Sequence, residues 1–312
     1  MGREGDRASE MGRIGAATRA NGTQEEASGL YILSIQSSVA YGHVGNSAAV
    51  FPLQRMGFEV WPVNTVHFSN HTGYPQWRGL VLPAEDVASV IRGIEERDVL
   101  RACDAVLSGY MGDAALGEVI VGAVGRVKGL NREAIYCCDP VMGDAGRGFF
   151  VGPGIPEFIK EVAVPAADVI TPNQFELEFL TGVEVGDLED ALLAAEKARG
   201  LGPEIVLTTS LRRRDAAVDT FEMLAISKEG AWLVRTPMLA LEVNGAGDTT
   251  AALFLGHLLR GATLAEALSM TASAVYAVLE ETHRTGSREI RLVSAQESIV
   301  EPPRRSEAIR IR

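Results

Sequence analysis

Short β-branched runs alternate with stretches of helical spacing from residue 30 onward. A chain written this way places a largely parallel sheet between helical layers, because each parallel strand pair needs a crossover long enough to hold a helix. Residues 30–35, 58–63, 65–68, 105–107, 134–138, 169–170 and 205–208 read as extended. Residues 46–56, 83–97, 114–127, 174–180, 188–199, 249–259 and 264–279 read as helical. The alternation breaks at 221–227 and 231–236, which Lys228-Glu229-Gly230 joins as a hairpin. No repeat or linker divides this stretch, so residues 30–300 are expected to form one α/β domain.

Composition narrows the partners. The 312 residues are 46% hydrophobic and 22% charged, which is globular usage. No apolar run approaches the roughly 18 residues of a membrane span. A net charge of -12 repels polyanions and excludes nucleic acid or an anionic membrane as the expected partner, while local amides and Arg can still hold a phosphorylated small molecule. Cys103, Cys137 and Cys138 lack the spacing of a disulfide framework or a structural zinc site and point to the reducing cytosol. Residues 1–29 have no apolar core for a secretory signal and too many acids for a transit peptide, so they read as a flexible extension, with Met11 as a second candidate start. Residues 301–312, with two Pro and four Arg, read as a loose basic tail.

Ligands of open α/β sheets bind beyond the carboxyl ends of the strands, so the turns there carry the search. Asn244-Gly245-Ala246-Gly247-Asp248-Thr249 precedes an apolar helix. Its glycines permit a turn whose amides converge, and the helix adds its positive end, which together make an anion site. Asp248 is an unwelcome charge there unless it serves as a base facing a substrate hydroxyl; the plainer role is an N-cap. Proximity to the helix N-terminus predicts a low pKa for it. No Gly-x-x-x-x-Gly-Lys-Ser/Thr occurs, and Lys128, Lys160, Lys197 and Lys228 are the only lysines, so a P-loop enzyme is excluded.

Asp139-Pro140-Val141-Met142-Gly143-Asp144 follows one strand, and Asn173-x-x-Glu176 opens a helix after the next. Oxygen ligands from separate strand ends suit Mg²⁺ shared with nucleotide phosphates, which makes Asp139, Asp144, Asn173 and Glu176 its candidate shell. Turn chemistry at Asp144 and a capping box between Asn173 and Glu176 are the competing roles. Ser37 closes the first strand, and Asn70-His71-Thr72-Gly73-Tyr74 lies in a loop with Trp77. Hydroxyls, an imidazole and aromatic rings suit a polar aromatic ligand, with Tyr110 a further candidate. Met142, Met223 and Met238 read as packing.

These motifs together resemble the pyridoxal kinases of the ribokinase-like superfamily. The resemblance runs from about residue 30 to 299 and rests on Ser37 with Tyr41-Gly42-His43-Val44-Gly45-Asn46, on Phe68-Ser69-Asn70-His71-Thr72-Gly73-Tyr74, on Ser108-Gly109-Tyr110, on Cys138-Asp139-Pro140-Val141-Met142-Gly143-Asp144, on Thr171-Pro172-Asn173-x-x-Glu176-Leu177, and on Gly245-Ala246-Gly247-Asp248. The last marks the superfamily; the Asn-His-Thr-Gly-Tyr string narrows it to pyridoxal kinases. The resemblance implies an α/β three-layer sandwich with a small β edge or lid element, and ATP-dependent phosphorylation of the 5'-hydroxyl of pyridoxal to pyridoxal 5'-phosphate in vitamin B6 salvage.

By the same resemblance, Asp248 is catalytic, with Gly245 and Gly247 in its anion hole. Ser37 bonds the pyridine ring, and His71, Thr72, Gly73 and Tyr110 line the substrate pocket. Asp139, Thr171, Glu176 and Thr209 lie around the nucleotide, and Thr236, Pro237, Met238 and Leu239 lie beside adenine. Some bacterial members have Lys at the position of Thr209, which leaves K⁺ open as a source of charge beside Mg²⁺. A homodimer covering an exposed sheet edge, of the hairpin or of the early strands, is also implied. The alternatives are a hydroxymethylpyrimidine or sugar kinase of this fold, and a non-catalytic pyridoxal phosphate-binding module.

Overall fold

The computed structural model of the chain describes residues 29–302 and 306–312. The expected N-terminal extension therefore lies, Gly29 apart, outside the described residues. The strands are β1 (Leu30–Val39), β2 (Phe58–Phe68), β3 (Gly79–Val81), β4 (Cys103–Ser108), β5 (Ile135–Cys138), β6 (Gly143–Asp144), β7 (Gly148–Phe149), β8 (Val169–Ile170), β9 (Ile205–Leu211), β10 (Thr220–Ser227), β11 (Gly230–Pro237) and β12 (Ile309–Arg310). Ten of them make one sheet in the order β12-β11-β10-β9-β8-β5-β4-β1-β2-β3, and β6 pairs with β7 in a separate small ribbon.

From β2 to β9 the pairing is parallel, and the antiparallel strands sit at the two ends. The chain leaves β1 toward β2 and then crosses to β4 on the other side. This reversal opens a crevice at the carboxyl ends of β1 and β4, where ligands of such sheets bind.

Alternate side chains of each strand enter opposite cores, as the two-residue period requires. Leu33, Val106, Tyr136 and Ile170 face one core with the helices Ala84–Glu95, Ala114–Leu130, Gln174–Thr181 and Leu188–Arg199. Ile32, Leu107, Cys137 and Val169 face the other, with Asn46–Arg55, Ala246–Leu259 and Leu264–Thr285. Three layers result, as the resemblance implies.

Three local expectations change. The two extended pieces at 58–63 and 65–68 are one strand that runs through Pro62. Proline is tolerated there because β3 pairs only with Val66, His67 and Phe68, so no strand covers the outer edge at Pro62. The C-terminal segment is not loose throughout: Ile309 and Arg310 pair with Leu233 and Trp232 of β11, and the Arg310 guanidinium lies 5.5 Å from the Trp232 ring. The hairpin edge is thereby partly covered, and the barer edge is β3, where Leu80 and Val81 are exposed.

The helix Ala246–Leu259 is sheathed almost all round, with every residue from Thr249 to Leu258 buried. Its core contacts fix the direction in which its first turn points. Phe254, fully buried in that helix, should cost about 3–5 kcal/mol of stability when replaced by Ala. Urea unfolding of Phe254→Ala checks this, and an unchanged midpoint would contradict the packing.

Candidate active site

The helix Ala246–Leu259 begins at the mouth of the crevice because Gly245 takes φ +90° at its N-cap. A Cβ at Gly245 would overlap the His43 carbonyl oxygen, so both the left-handed backbone and the close approach require glycine. Gly245 has no side chain to cap the first turn, whose amides are left for an anion. Nothing lies within 4 Å of where a Cβ of Gly247 would stand, so this side of the turn is open.

Asp248 faces a cavity of ≈ 280 Å³ together with Ser37, His71, Thr72, Tyr110, Asp139, Thr171 and Glu176. Strand ends and loops far apart in the chain thus bring together the expected catalytic residues and the expected acceptor residues except Gly73, which lines only the larger neighbouring cavity. Ser37 does not close the first strand as expected but lies within β1 at the register irregularity between Gln36 and Ser38, with its hydroxyl against Gly45, where a Cβ would overlap it. The Gly45 N–H and the N–H of Asp248 itself both donate to the Asp248 carboxylate. Desolvation nevertheless raises that carboxyl above its ordinary value. The low pKa expected from the helix terminus is therefore corrected, because loss of water outweighs two amide hydrogen bonds and the dipole.

A second cavity of ≈ 860 Å³ adjoins the first. Gly73, Thr236, Pro237 and Leu239 line it, along with apolar side chains that include Met223, Ala272, Val275 and Leu279. Met238, expected beside adenine, is instead 43% exposed and does not line the cavity, and Met223 does more than pack. The two cavities share a wall that includes His71, Asp144, Asn173, Thr209, Ala246 and Gly247.

The four expected cation ligands all line the smaller cavity, but they do not form a ready-made shell. Among the described residues no group of three or more His, Cys, Asp or Glu is arranged to hold a metal. Asp144 accepts the backbone N–H of Gly146 and of Arg147 and pairs with the Arg147 guanidinium at 2.6 Å. Burial opposes ionisation of Asp144, yet these donors hold its carboxyl below the usual range. Asn173 and Glu176 form a reciprocal capping box, and Glu176 also accepts Met142 N–H at 2.9 Å. The plainer roles considered for Asp144 and Glu176 are thus the ones their hydrogen bonds realise.

Asp139 is different. It is 6% exposed, its one side-chain donor is the Thr171 hydroxyl at 3.0 Å, and desolvation with the nearby Glu176 and Asp248 charges pushes its carboxyl well above the carboxylate range. Burial likewise pushes Glu176 up to about 7, against its amide hydrogen bonds. Four carboxylates line this cavity: Asp144 pairs with Arg147, while Asp139, Glu176 and Asp248 have no paired cation among the described residues.

Sequence reasoning missed Arg147, Ser210 and Glu289. Arg147, in the turn between β6 and β7, is the one Arg or Lys in the wall common to both cavities. Ser210 also lies there, with φ 51°, a strained value for a residue with a side chain and one that clusters at functional sites. Gly-flanked Arg147 gave a faint signal as a basic residue in a glycine turn; Ser210 gave none.

Comparison with known proteins gives the family. A family model described as Phosphomethylpyrimidine kinase matches residues 81–292. A pyridoxal kinase of Rubrobacter xylanophilus is 74% identical over 88% of this chain and 95% of its own. The chain belongs to the pyridoxal kinase family. A family member from Deinococcus radiodurans is 56% identical over 87% of this chain and 93% of its own. Among solved structures, the pyridoxal kinase of Leishmania donovani in complex with ADP and pyridoxine is 30% identical, with a TM-score of 0.85 over 90% of this chain and 99% of that one. The matched segment of the family model starts after Ser37 and the 70–74 loop, the residues that read most specifically as pyridoxal kinase.

The raised acids generate a prediction. Folded Glu176 keeps its proton from its ordinary 4.5 up to about 7, so the folded state binds more protons than the unfolded state across that window. Stability of the ligand-free protein should therefore fall as pH rises through it. Thermal midpoints measured between about pH 5 and pH 7.5 should drop in the wild type and drop less steeply in Glu176→Gln. Equal slopes would remove Glu176 as the source.

Proposed function

We propose that this chain transfers the γ-phosphoryl group of ATP to the 5'-hydroxyl of pyridoxal, giving pyridoxal 5'-phosphate and ADP. The observation that carries the reading is the placement of Asp248 and the open helix terminus in one cavity with Ser37, His71, Thr72 and Tyr110, beside a larger cavity across a shared wall. The smaller cavity holds the B6 ring and the larger one the nucleotide, with adenine in the apolar slot near Pro237, Leu239 and Val275.

In the reaction the oxygen–hydrogen bond of the 5'-hydroxyl breaks as its oxygen bonds to the γ-phosphorus, and the bond from that phosphorus to the β-phosphate oxygen breaks to release ADP. Asp248 accepts the proton. Its raised pKa makes it a better base than a helix-terminal carboxylate in water. The amides of Ala246 and Gly247 face the charge that develops on the moving phosphoryl oxygens, where fixed dipoles require no reorganisation.

Asp139, desolvated and with no cation paired to it among the described residues, would hold a Mg²⁺, which would supply positive charge to the nucleotide phosphates. Glu176 would add negative potential for that ion while holding the Met142 and Asn173 amides in place. Thr209 brings no charge to the shared wall, and the Arg147 charge there is paired with Asp144, so K⁺ would be a further source of positive charge beside Mg²⁺. The exposed β3 edge with Leu80 and Val81 supports a homodimer formed there. Three free, buried cysteines support a cytoplasmic setting, and among the described residues no helix is long and apolar enough to cross a membrane.

A substrate panel with ATP tests the reading against a hydroxymethylpyrimidine or sugar acceptor: pyridoxal is expected to give the highest kcat/KM, and preference for either rival class would overturn it. Asp248→Asn should lower kcat by about 10²- to 10⁴-fold while pyridoxal and ATP still bind. Near-normal turnover in that variant would remove its role as base. Arg147→Ala should raise KM for ATP by roughly tenfold and leave pyridoxal affinity unchanged in calorimetry. An unaltered ATP dependence would assign the phosphate charge elsewhere.

A further inference from the structure

Glu289 lies beyond the helix Leu264–Thr285 and is only 8% exposed. Its backbone is tied locally: its N–H donates to Ser287 Oγ at 3.2 Å, and that hydroxyl donates to the Glu289 carbonyl at 2.7 Å. Its carboxylate gathers donors from two distant loops. Oε1 accepts the Tyr74 hydroxyl at 2.6 Å and His71 Nε2 at 3.1 Å. Oε2 accepts the His43 backbone N–H at 3.3 Å, and Gly42 leaves the space it occupies, since a Cβ there would overlap it. Arg288 does not pair with it but stacks over the Tyr74 ring at 4.9 Å.

Both loops lead to the cavity. His71 Nδ1 accepts the Gly73 N–H at 3.2 Å, so Nε2 carries the ring proton given to Glu289, and the turn between them puts Thr72 on the cavity wall. On the other side the His43 carbonyl abuts Gly245, and two residues later the Gly45 N–H donates to the Asp248 carboxylate. Ile290, the next residue after Glu289, also touches the Gly245 position, with Cδ1 3.0 Å from where its Cβ would stand.

We propose that Glu289 is a positioning residue for phosphoryl transfer: one buried carboxylate fixes both the 71–74 loop against the acceptor and the 42–45 segment whose amide aims Asp248. The proposal rests on the acceptor and base roles given above to His71, Thr72 and Asp248. Hydrogen bonds to a buried charge are the strong class, and leaving their donors unpaired adds a further penalty. The two halves of the role separate chemically. In Glu289→Gln one oxygen can still accept Tyr74 and His71, but the amide then confronts the His43 N–H, donor against donor. In Tyr74→Phe only the acceptor side is weakened.

The test reads pyridoxal binding by calorimetry without ATP, steady-state kinetics with both substrates, and the thermal midpoint, all on the full chain. Glu289→Ala is expected to lower kcat/KM for pyridoxal roughly 10- to 100-fold and to weaken pyridoxal binding, with KM for ATP within about twofold of wild type. Glu289→Gln is expected to keep pyridoxal affinity and lose kcat, and Tyr74→Phe to lose pyridoxal affinity and keep kcat at saturation. The proposal is overturned if Glu289→Ala leaves pyridoxal affinity and kcat unchanged. A loss in every parameter, ATP KM included, that follows the thermal midpoint in both Glu289 variants also overturns it, since that is a purely structural role. If Glu289→Ala does not fold, the opposite shifts of Glu289→Gln and Tyr74→Phe decide, and identical behaviour of the two overturns it. Failure of the kinase reading itself is distinct: wild-type protein would then neither bind nor phosphorylate pyridoxal.

Discussion

The carbonyl oxygen of His43 rests where any side chain at residue 245 would have to stand. This contact sets where the first turn of the helix Ala246–Leu259 begins, and hence where its free amides and Asp248 point. The helix behind it is buried along nearly its whole length, so the turn cannot drift as an exposed loop would. In front, the 42–45 segment returns a backbone N–H to the carboxylate it helps to place. Asp248 and the amides of its turn are therefore held by main chain on a packed element, an arrangement that keeps their geometry fixed.

Charge is distributed against the grain of folding. Asp139, Glu176 and Asp248 all line one small cavity, and each is held at a higher pKa than in water. A protein concerned with stability alone would pair such groups or replace them. Elsewhere this chain does pair them: buried Glu222 receives both Arg213 and Arg235, at 2.7 Å each, and its carboxyl is held low despite burial. The contrast is between a carboxylate at the larger cavity that is neutralised by two guanidinium groups and three acids of the smaller cavity that have no paired cation among the described residues.

Much of this was legible from residue order, and for identifiable reasons. Parallel strands buried on both faces leave short β-branched runs, and crossover helices leave a helical period, so β1, β4, β5, β8 and β9 and their helices could be read locally. The glycine turn before Asp248 was readable because only glycine meets its two backbone demands. Properties set by the whole fold were not readable. The continuity of β2 through Pro62 depends on where β3 stops, and β12 depends on a long-range pairing with β11. The acidity of Asp248 depends on how much water the cavity excludes. Glu289 lies 218 residues from His71 and 246 from His43, so no local pattern announces it, and Arg147 counts only because two cavities meet beside it.

That meeting of cavities has a thermodynamic consequence. Residues such as Asn173, Thr209 and Asn244 belong to both compartments, so whatever occupies one of them resets part of the boundary of the other. Such influence is reciprocal in free energy: any gain in acceptor affinity that nucleotide brings is returned in equal measure to nucleotide by acceptor. The partition is thus a channel of communication as well as a doorway, and neither ligand's affinity is a property of its own chamber alone.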